Sequence, residues 1–541
     1  MRTSPGRQRG TLFLLALLLA LACLGVLVAM DLAAASGSAR RDRLSDAALA
    51  QAREALVAYA VDHPINATVG PGYLPYPDLD DDGWAESTCG SQSGDSGQEQ
   101  RLGRLPWKTL GLPDLRDGYG ERLWYAVSSK YKGLLNCGVS RACLDMSPDA
   151  ALGTITVRDS SGVVLHDGTV AESHRANEGG AIAVLFAPGA PLARADGTPQ
   201  VRDCAPGECD DNGRCTTQPA QRAARCDPGN YLDKAADGRF SFEDNADFVD
   251  RNDAAGRSRN DNGFIAGPVT LPSGRLGVND RLAVISYRDL MPRVMERVAR
   301  EVASCLRFYA SRPENGGRYP WPTPACRQAA GEWNGKPGVH FGRVPDTPFD
   351  AMASQSRLPR WWRVQGSSGA PGELPTAANA CRVALAPDDA GAQRTSPPGS
   401  PPDEAQTAGL AANSWWNAWK PSVFYALAPA YSADSPAPSC DAGSCIEVLD
   451  VSGHAGASGK QFAVIVAGPA LARDGFVQSR DGAGISAPGM WLEESNALLE
   501  GSAGCDAVVP PSFPCEGTGN CNRVTVGASS AVFNDVVVVS P

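Results

Sequence analysis

A chain of 541 residues exceeds what one hydrophobic core ordinarily organises, so about two to four domains are expected. Its formal net charge of −11 argues against a nucleic-acid partner, because phosphate binding requires a basic surface. The 58 glycines and 42 prolines indicate many turns and long loops between short elements.

The first element in chain order is an apolar segment behind a basic leader. Residues 1–10 contain three arginines and no acidic residue, and the next 20 residues, 11–30, carry no charge. A helix of that length spans a bilayer at about 1.5 Å per residue. Positive charge before the span predicts a cytoplasmic N-terminus, with everything after Asp31 exported. A cleaved signal peptide, cut near 32–36, is the alternative, but the length of the apolar segment favours a retained anchor.

A helix is predicted to follow, and its end is repeated later in the chain. Residues 56–60 read LVAYA, and residues 306–310, 250 positions later, read LRFYA. Apolar residues recur at steps of three and four before the first of these, as in Leu49, Ala52 and Leu56, and a similar stripe precedes the second. That spacing predicts two amphipathic helices, each of which buries one face.

Strand-like segments follow both helices in the same order. The matched segments are 123–127 with 423–427, 154–157 with 446–449, and 181–186 with 462–466. An Asn-Asp step then precedes the last apolar segment of each half, at 279–280 and 534–535. Because the order is preserved throughout, the sequence predicts that one module has been duplicated.

The predicted organisation follows from the repeat. A basic leader at 1–10 and a transmembrane helix at 11–30 precede a first module at 31–288 and a second at 289–541. A loop insertion is expected at about 364–413, where Ala, Gly, Pro and Ser dominate. The fold class is α+β, in which each module is a helix packed on an antiparallel β-sheet.

The 16 cysteines include several close pairs. Cys137 with Cys143 and Cys440 with Cys445 are spaced for small local disulfides, which form in an oxidising compartment. A zinc cluster is the alternative. Such clusters usually contain CxxC pairs, whereas the gaps here are wider and the chain has only five histidines.

Three phrases of the first module form a recognisable series: GYLPYPD at 72–78, GRLPW at 103–107 and DGYGERLWY at 117–125. This series resembles the bacterial type IV pilin-like and type II secretion pseudopilin-like proteins, which have a helix followed by LPxPD, GxLPW and DxWGxxLxY. The junction between Gly10 and Thr11 resembles a prepilin cleavage site. Leu15 stands where that family usually has glutamate.

The resemblance implies a non-enzymatic subunit of a pilus or type II secretion assembly that acts through contacts with other subunits. It also implies a single-pass protein of the bacterial inner membrane with both modules in the periplasm. No HExxH or GxSxG motif is present, so no catalytic residues are predicted. No cofactor is expected apart from a calcium ion.

The calcium prediction comes from one acidic turn. Asp78, Asp80 and Asp82, followed by Gly83, form D-x-D-x-D-G, a spacing typical of loops that wrap a calcium ion. A full twelve-residue loop would end with glutamate, but Cys89 stands there. A solvated acidic turn is therefore the alternative interpretation.

Three tryptophans near the expected insertion, Trp415, Trp416 and Trp419, suggest a second function. Exposed aromatic side chains stack on sugars or anchor a partner protein. The alternative function is thus a periplasmic or surface protein that binds a glycan or host ligand. A small apolar core beneath the loop is the structural explanation of the same residues.

Overall fold

The structure is a computed structural model of the chain. It describes residues 37–63, 71–86, 102–128, 131, 146–170, 179–195, 197, 199–200, 202, 227–235, 238–240, 243–248, 263–311, 316–325, 338–345, 418–432, 435–440, 444–473, 476–481, 487–497, 523–528, 530 and 533–541.

The first half opens with helix α1 (37–62), whose apolar stripe, including Leu49, Ala52 and Leu56, is buried. Its strands are β1 (Leu102–Arg104), β2 (Trp124–Val127), β3 (Val157–Arg158), β4 (Val164–His166), β5 (Ala183–Ala187), β6 (Phe264–Ile265), β7 (Val269–Thr270), β8 (Leu276–Val278) and β9 (Arg281–Ile285).

The second half opens with helix α2 (Tyr287–Ser311), which follows β9 after a single residue. Its strands are β10 (Phe341–Arg343), β11 (Val423–Leu427), β12 (Ile446–Asp450), β13 (Ala455–Lys460), β14 (Phe462–Val466), β15 (Ala472–Arg473), β16 (Phe476–Val477), β17 (Arg523–Val526) and β18 (Val536–Val539). A short helix, α3 (Glu494–Ala497), lies between β16 and β17.

Both halves contain a four-stranded antiparallel sheet with the same strand order. The order is β1-β2-β5-β9 in the first half and β10-β11-β14-β18 in the second. The inner strands β5 and β14 are buried on both faces, which explains their uninterrupted apolar sequences. Repetition of this order is what duplication of one module produces.

Each half also has a second, smaller sheet, which the prediction of a simple antiparallel sheet did not include. Its order is β4-β3-β6 in the first half and β13-β12-β17 in the second. One strand pair in each is parallel, β3 with β6 and β12 with β17. Parallel neighbours require a long crossover connection, and the chain from β3 to β6 passes through β5 of the larger sheet.

One continuous apolar core joins the two halves. It contains the buried faces of both helices and the helix-facing sides of both large sheets, with Leu56, Tyr125, Leu306 and Tyr425 among its members. The opposite faces of the large sheets are covered by the smaller sheets and nearby loops, which form separate apolar clusters. The two modules therefore bury apolar surface against each other as a single body.

The proline-rich turn after each helix is fastened to its sheet in the same way. The Tyr125 hydroxyl donates to the Pro75 carbonyl at 3.3 Å, and the Tyr425 hydroxyl donates to the Pro320 carbonyl at 3.2 Å. The tyrosines lie in the matched segments 123–127 and 423–427, and the prolines lie in two similar phrases, LPYP at 74–77 and YPWP at 319–322. The repeat thus extends from strand order to individual hydrogen bonds.

The two helices lie side by side and are joined by ion pairs. The pairs are Arg53 with Asp289 at 2.6 Å, Glu54 with Arg293 at 3.0 Å, and Asp62 with Arg297 at 3.5 Å. Residue numbers rise together along both helices, so the helices run in the same direction. A further ion pair between the modules joins Asp149 to Arg480 at 2.7 Å.

The predicted membrane-spanning helix is not among the helices that the structure describes. In the part of the chain that the structure describes, no helix is both long and apolar enough to cross a bilayer. Helix α1 is amphipathic, with Arg40, Arg41 and Arg43 exposed near its start. The fold-class prediction was wrong in including such a helix, as was the single-pass inner-membrane localisation that depended on it. The segments 1–10 and 11–30 themselves lie outside the described residues.

Candidate functional site

The acidic turn predicted to bind calcium lies between α1 and β1. Asp78 is fully buried, and its backbone pairs with that of Arg104 in β1. Its carboxylate accepts hydrogen bonds from the backbone N–H groups of Asp82 at 3.2 Å and Gly83 at 2.7 Å. Gly83 has a φ of +91°, a conformation that glycine adopts without strain.

The turn brings together a ligand set that differs from the predicted one. Oxygen atoms of Asp78, Asp80 and Glu86 all lie within 4.8 Å of one another. Asp82 is not in this group, and its carboxylate accepts a hydrogen bond from the Trp84 N–H at 2.7 Å. Three carboxylates in this arrangement are the oxygen donors that a hard cation such as calcium prefers.

The electrostatics of the turn also suit a cation. Burial raises the pKa of Asp78 to about 8, and the neighbouring carboxylates of Asp81, Asp80 and Asp82 raise it as well, against the hydrogen bond from Gly83, which lowers it. A bound cation would oppose both effects, because it stabilises the ionised form. Calcium binding by Asp78, Asp80 and Asp82 stays a prediction, although in the structure Glu86 rather than Asp82 lies with Asp78 and Asp80.

The same turn contributes Asp81 to a cavity of about 290 Å³. The cavity is lined by Asp81, Arg104, Arg116, Glu121, Arg122, Arg202 and Tyr231. The Asp81 carboxylate accepts a hydrogen bond from Arg122 at 2.8 Å, and the Arg104 guanidinium lies over the rings of both Trp124 and Tyr231. Ion pairs and ring contacts within the protein thus occupy these arginines.

The DGYGER phrase forms the wall of this cavity as a tight turn. The Asp117 carboxylate accepts hydrogen bonds from the N–H groups of Tyr119 at 2.8 Å and Glu121 at 2.9 Å. Gly120 has a φ of +86°, a conformation that glycine adopts without strain. A side chain on Gly118 would overlap the Arg41 carbonyl of α1, so glycine there allows the turn to pack on the helix.

A buried carboxyl pair lies at the end of the first module. Asp280, directly before β9, accepts hydrogen bonds at Oδ2 from the Asp233 N–H at 2.7 Å and from Asn245 Nδ2 at 2.8 Å. The Asp233 carboxylate in turn accepts from the Asn279 N–H at 2.7 Å and from Gln200 Nε2 at 2.8 Å. Asp233 and Asp280 are both fully buried.

The second module repeats this arrangement. Asp535, directly before β18, accepts at Oδ2 from the Glu493 N–H and from Asn496 Nδ2, both at 3.0 Å. Glu493 accepts from the Asn534 N–H at 3.2 Å and from Gln478 Nε2 at 2.9 Å. Glutamate takes the place of Asp233, and the other members keep their residue types.

Burial makes the carboxyl groups of both pairs weaker acids than free carboxyls. It raises the pKa of Asp280 well above the ordinary value, and the Asp233 charge raises it further. Burial also raises the pKa of Asp233 to about 6. In the second module, burial and the charge of Glu493 raise the pKa of Asp535, and burial raises that of Glu493. Each pair therefore retains a proton inside the folded protein at pH values where free carboxyls are ionised.

One arginine beside each pair fastens the surrounding loops. Arg202 donates to the carbonyls of Gly189 at 2.8 Å and Asn230 at 3.2 Å. Arg480 donates to the equivalent carbonyls, of Gly468 at 2.7 Å and Met490 at 3.1 Å. These bonds tie the backbone of each loop to an arginine side chain.

Sequence reasoning found the two Asn-Asp steps but missed their partners. The available signal was a second repeated phrase, PGNYLD at 228–233 and PGMWLE at 488–493. A glutamine and an arginine two positions apart, Gln200 with Arg202 and Gln478 with Arg480, also recur. Both repeats fall in loops, where no helical or strand periodicity drew attention to them.

The other predicted site residues have mixed outcomes. Cys440 and Cys445 form a disulfide, as predicted. Trp419 is 1% exposed within the main core and is therefore not available to a ligand. The remaining predicted residues lie outside the described part of the chain: Gly10, Thr11, Cys137, Cys143, Trp415 and Trp416.

Comparison with known proteins gives no relative for this chain. No protein-family model, no curated protein and no solved structure matches it. The resemblance to pilin-like and pseudopilin-like proteins rests on the short phrases of the first module.

Proposed function

We propose that this chain is a non-enzymatic, pilin-like subunit that acts through protein–protein contacts in a bacterial pilus or type II secretion assembly. The proposal is supported by the phrases of the first module and by the pairing of a long helix with a four-stranded antiparallel sheet in both halves. A subunit of this kind needs surfaces that pack on like units rather than a catalytic pocket.

The observation that carries the proposal is the stagger between the two helices. Equivalent residues of α1 and α2 are 250 positions apart, as at Leu56 and Leu306. The ion-paired residues are only 239 apart for Glu54 with Arg293 and 235 apart for Asp62 with Arg297. Helix α2 is therefore displaced along α1 by about three to four turns, or roughly 16–22 Å.

This stagger defines the kind of contact between the modules. The C-terminal half of α1 contacts the N-terminal half of α2, so two equivalent units use different faces. Such a contact is heterologous, and its repetition builds an open filament unless the rotation closes a ring. The two modules thus pack as successive units of a filament would, which supports a role in a filamentous assembly.

Isolation of the full chain with its partners from its native bacterial cell tests the proposal. After chemical cross-linking, we expect the chain to co-purify with pilus or secretion subunits, with cross-links that reach α1 or α2. A monomer with no cross-link to such a subunit would refute the proposal. A sugar or other small ligand bound under the same conditions would favour the alternative function instead.

A further inference from the structure

The two helices occupy different surroundings at equivalent positions. In α2 the N-terminal half is covered by the first module: Leu290 and Val294 are fully buried, and Val294 lies against the turn at Gly72. Their equivalents in α1, at the 250-residue offset, are Arg40 and Leu44. Both are exposed, and the Leu44 side chain is 50% accessible.

A basic residue occurs at the same position in the N-terminal halves of both helices. Arg293 of α2 donates to Glu54 of α1 at 3.0 Å, across the contact between the modules. The equivalent residue of α1 is Arg43, which is exposed and donates only a bond within its own helix, to the Ala39 carbonyl, among the contacts that the structure gives. The N-terminal half of α1 thus repeats the cationic element of an interface that the other half of the protein has already formed.

We propose that the exposed face formed by Arg40, Arg43, Leu44 and Ala47 of α1 docks a sheet-backed helix of a different subunit, which carries a carboxylate opposite Arg43. This proposal rests on the proposed function, because it assigns the neighbour that a staggered assembly requires. These four residues of α1 are equivalent to the residues of α2 that lie at its contact with the first module.

Charge decides between a different subunit and a second copy of this chain. A second copy would present the C-terminal half of its own α2, where Ala303 and Ser304 stand at the positions of Arg53 and Glu54. Neither residue offers a carboxylate to Arg43. An acidic helix of another protein complements the two arginines of this face, Arg40 and Arg43, and electrostatic complementarity of this kind fixes partner choice and orientation.

The test places a photoreactive p-benzoylphenylalanine at position 44 of the full chain in its native bacterial cell. We expect a cross-link to a helical peptide of another protein that contains Asp or Glu. Arg43→Glu is expected to reduce its yield by about tenfold, since like charges oppose docking. Replacement of the partner carboxylate by arginine should restore the yield in that variant. The control Arg300→Glu, at an exposed position of α2, should leave the yield unchanged.

Each other outcome separates the docking face from the proposed function. A cross-link from position 44 to this chain itself, whether to a second copy or to its own N-terminal residues, would overturn the docking proposal. So would a yield that does not respond to Arg43→Glu. If the cross-linked helix belongs to a protein outside any pilus or secretion assembly, the docking face stands and the proposed function falls. If assembly subunits co-purify without a cross-link at position 44, the reverse holds.

Discussion

The buried carboxyl pairs predict that this protein is more stable in mild acid than at neutral pH, and the variant Asp280→Asn tests the reason. The Oδ2 atom of Asp280 accepts bonds from the Asp233 N–H and Asn245 Nδ2. An asparagine oxygen can accept the same two bonds, while its NH₂ group replaces the protonated Oδ1. The variant therefore imitates the protonated carboxyl but has no proton to lose.

The sign and size of the effect follow from the raised pKa of Asp280. Burial and the charge of Asp233 both raise this pKa, and the positive charge of Arg202 lowers it. A carboxyl whose pKa is higher in the folded state contributes its full stability below the unfolded pKa of about 3.9. It loses that contribution as pH rises through the folded pKa. For each pH unit in which Asp280 alone keeps its proton, wild-type unfolding free energy falls by about 1.4 kcal/mol, or about 3 kcal/mol over two units.

Urea unfolding followed by tryptophan fluorescence, at about pH 5, 6 and 7, measures the difference. We expect the unfolding free energies of Asp280→Asn and wild type to diverge with rising pH, with wild type losing about 1.4 kcal/mol more for each pH unit over which folded Asp280 keeps its proton. Asp46→Asn, at an exposed carboxylate, serves as the control and should follow wild type. Parallel curves for Asp280→Asn and wild type would show that Asp280 is ionised in the fold and would refute the reasoning.

Three further predictions concern the turns and the joint between the modules. Gly103→Ala should destabilise the protein by about 3 kcal/mol, because its Cβ would lie 2.6 Å from the Asp78 carbonyl oxygen, whereas Gly489→Ala, in open space, should have little effect; equal urea midpoints would contradict this. Asp149→Ala removes the partly buried ion pair between the modules and should cost about 2 kcal/mol by the same assay, and an unchanged midpoint would show that the pair adds nothing. Calcium should raise the melting temperature more above about pH 8 than at pH 6, because it competes with the proton on Asp78. Asp80→Asn should abolish this rise. A rise in melting temperature that is the same at both pH values, or that persists in the variant, would exclude the site.

The elements that the sequence predicts well are those with a strong hydrophobic pattern, either periodic or uninterrupted. The apolar stripe of α2 and the uninterrupted apolar segments of β5 and β14 are visible without any tertiary information. Burial of both faces explains why those strands contain no alternating polar residues. The repeat adds certainty, because the same pattern occurs in the same order in both halves.

The smaller sheets were not predictable in the same way. Strands β3 and β6 have two residues each, and nothing in either sequence specifies a parallel partner about a hundred positions away. Parallel pairing depends on how the crossover through β5 packs, which is a property of the whole module. Local sequence therefore indicates that strands exist here but not how they join.

The acidic turn shows how backbone conformation alters a ligand set read from spacing. Alternating carboxylates at 78, 80 and 82 suggest three side chains on one side of a loop. Asp81 instead adopts a φ of +61°, and the Asp82 carboxylate accepts from the Trp84 N–H rather than joining the group. Glu86 then reaches the space beside Asp78 and Asp80. The backbone conformation of the turn, and not the residue spacing alone, thus decides which carboxylates lie together.

The two halves share the interior hydrogen bonds that hold a module together but differ in the exposed faces of their helices. Asn245 links Asp280 to β6 through the Ile265 N–H at 2.8 Å, and so ties the start of the last large-sheet strand to the smaller sheet. The second module makes the equivalent link to β17 through Asn496. The outer faces of the helices differ instead, with Arg40 exposed where Leu290 is buried. A module closed by interior hydrogen bonds can change its outer face without losing its fold, and such freedom lets one duplicated unit pack against its own copy on one side and a different protein on the other.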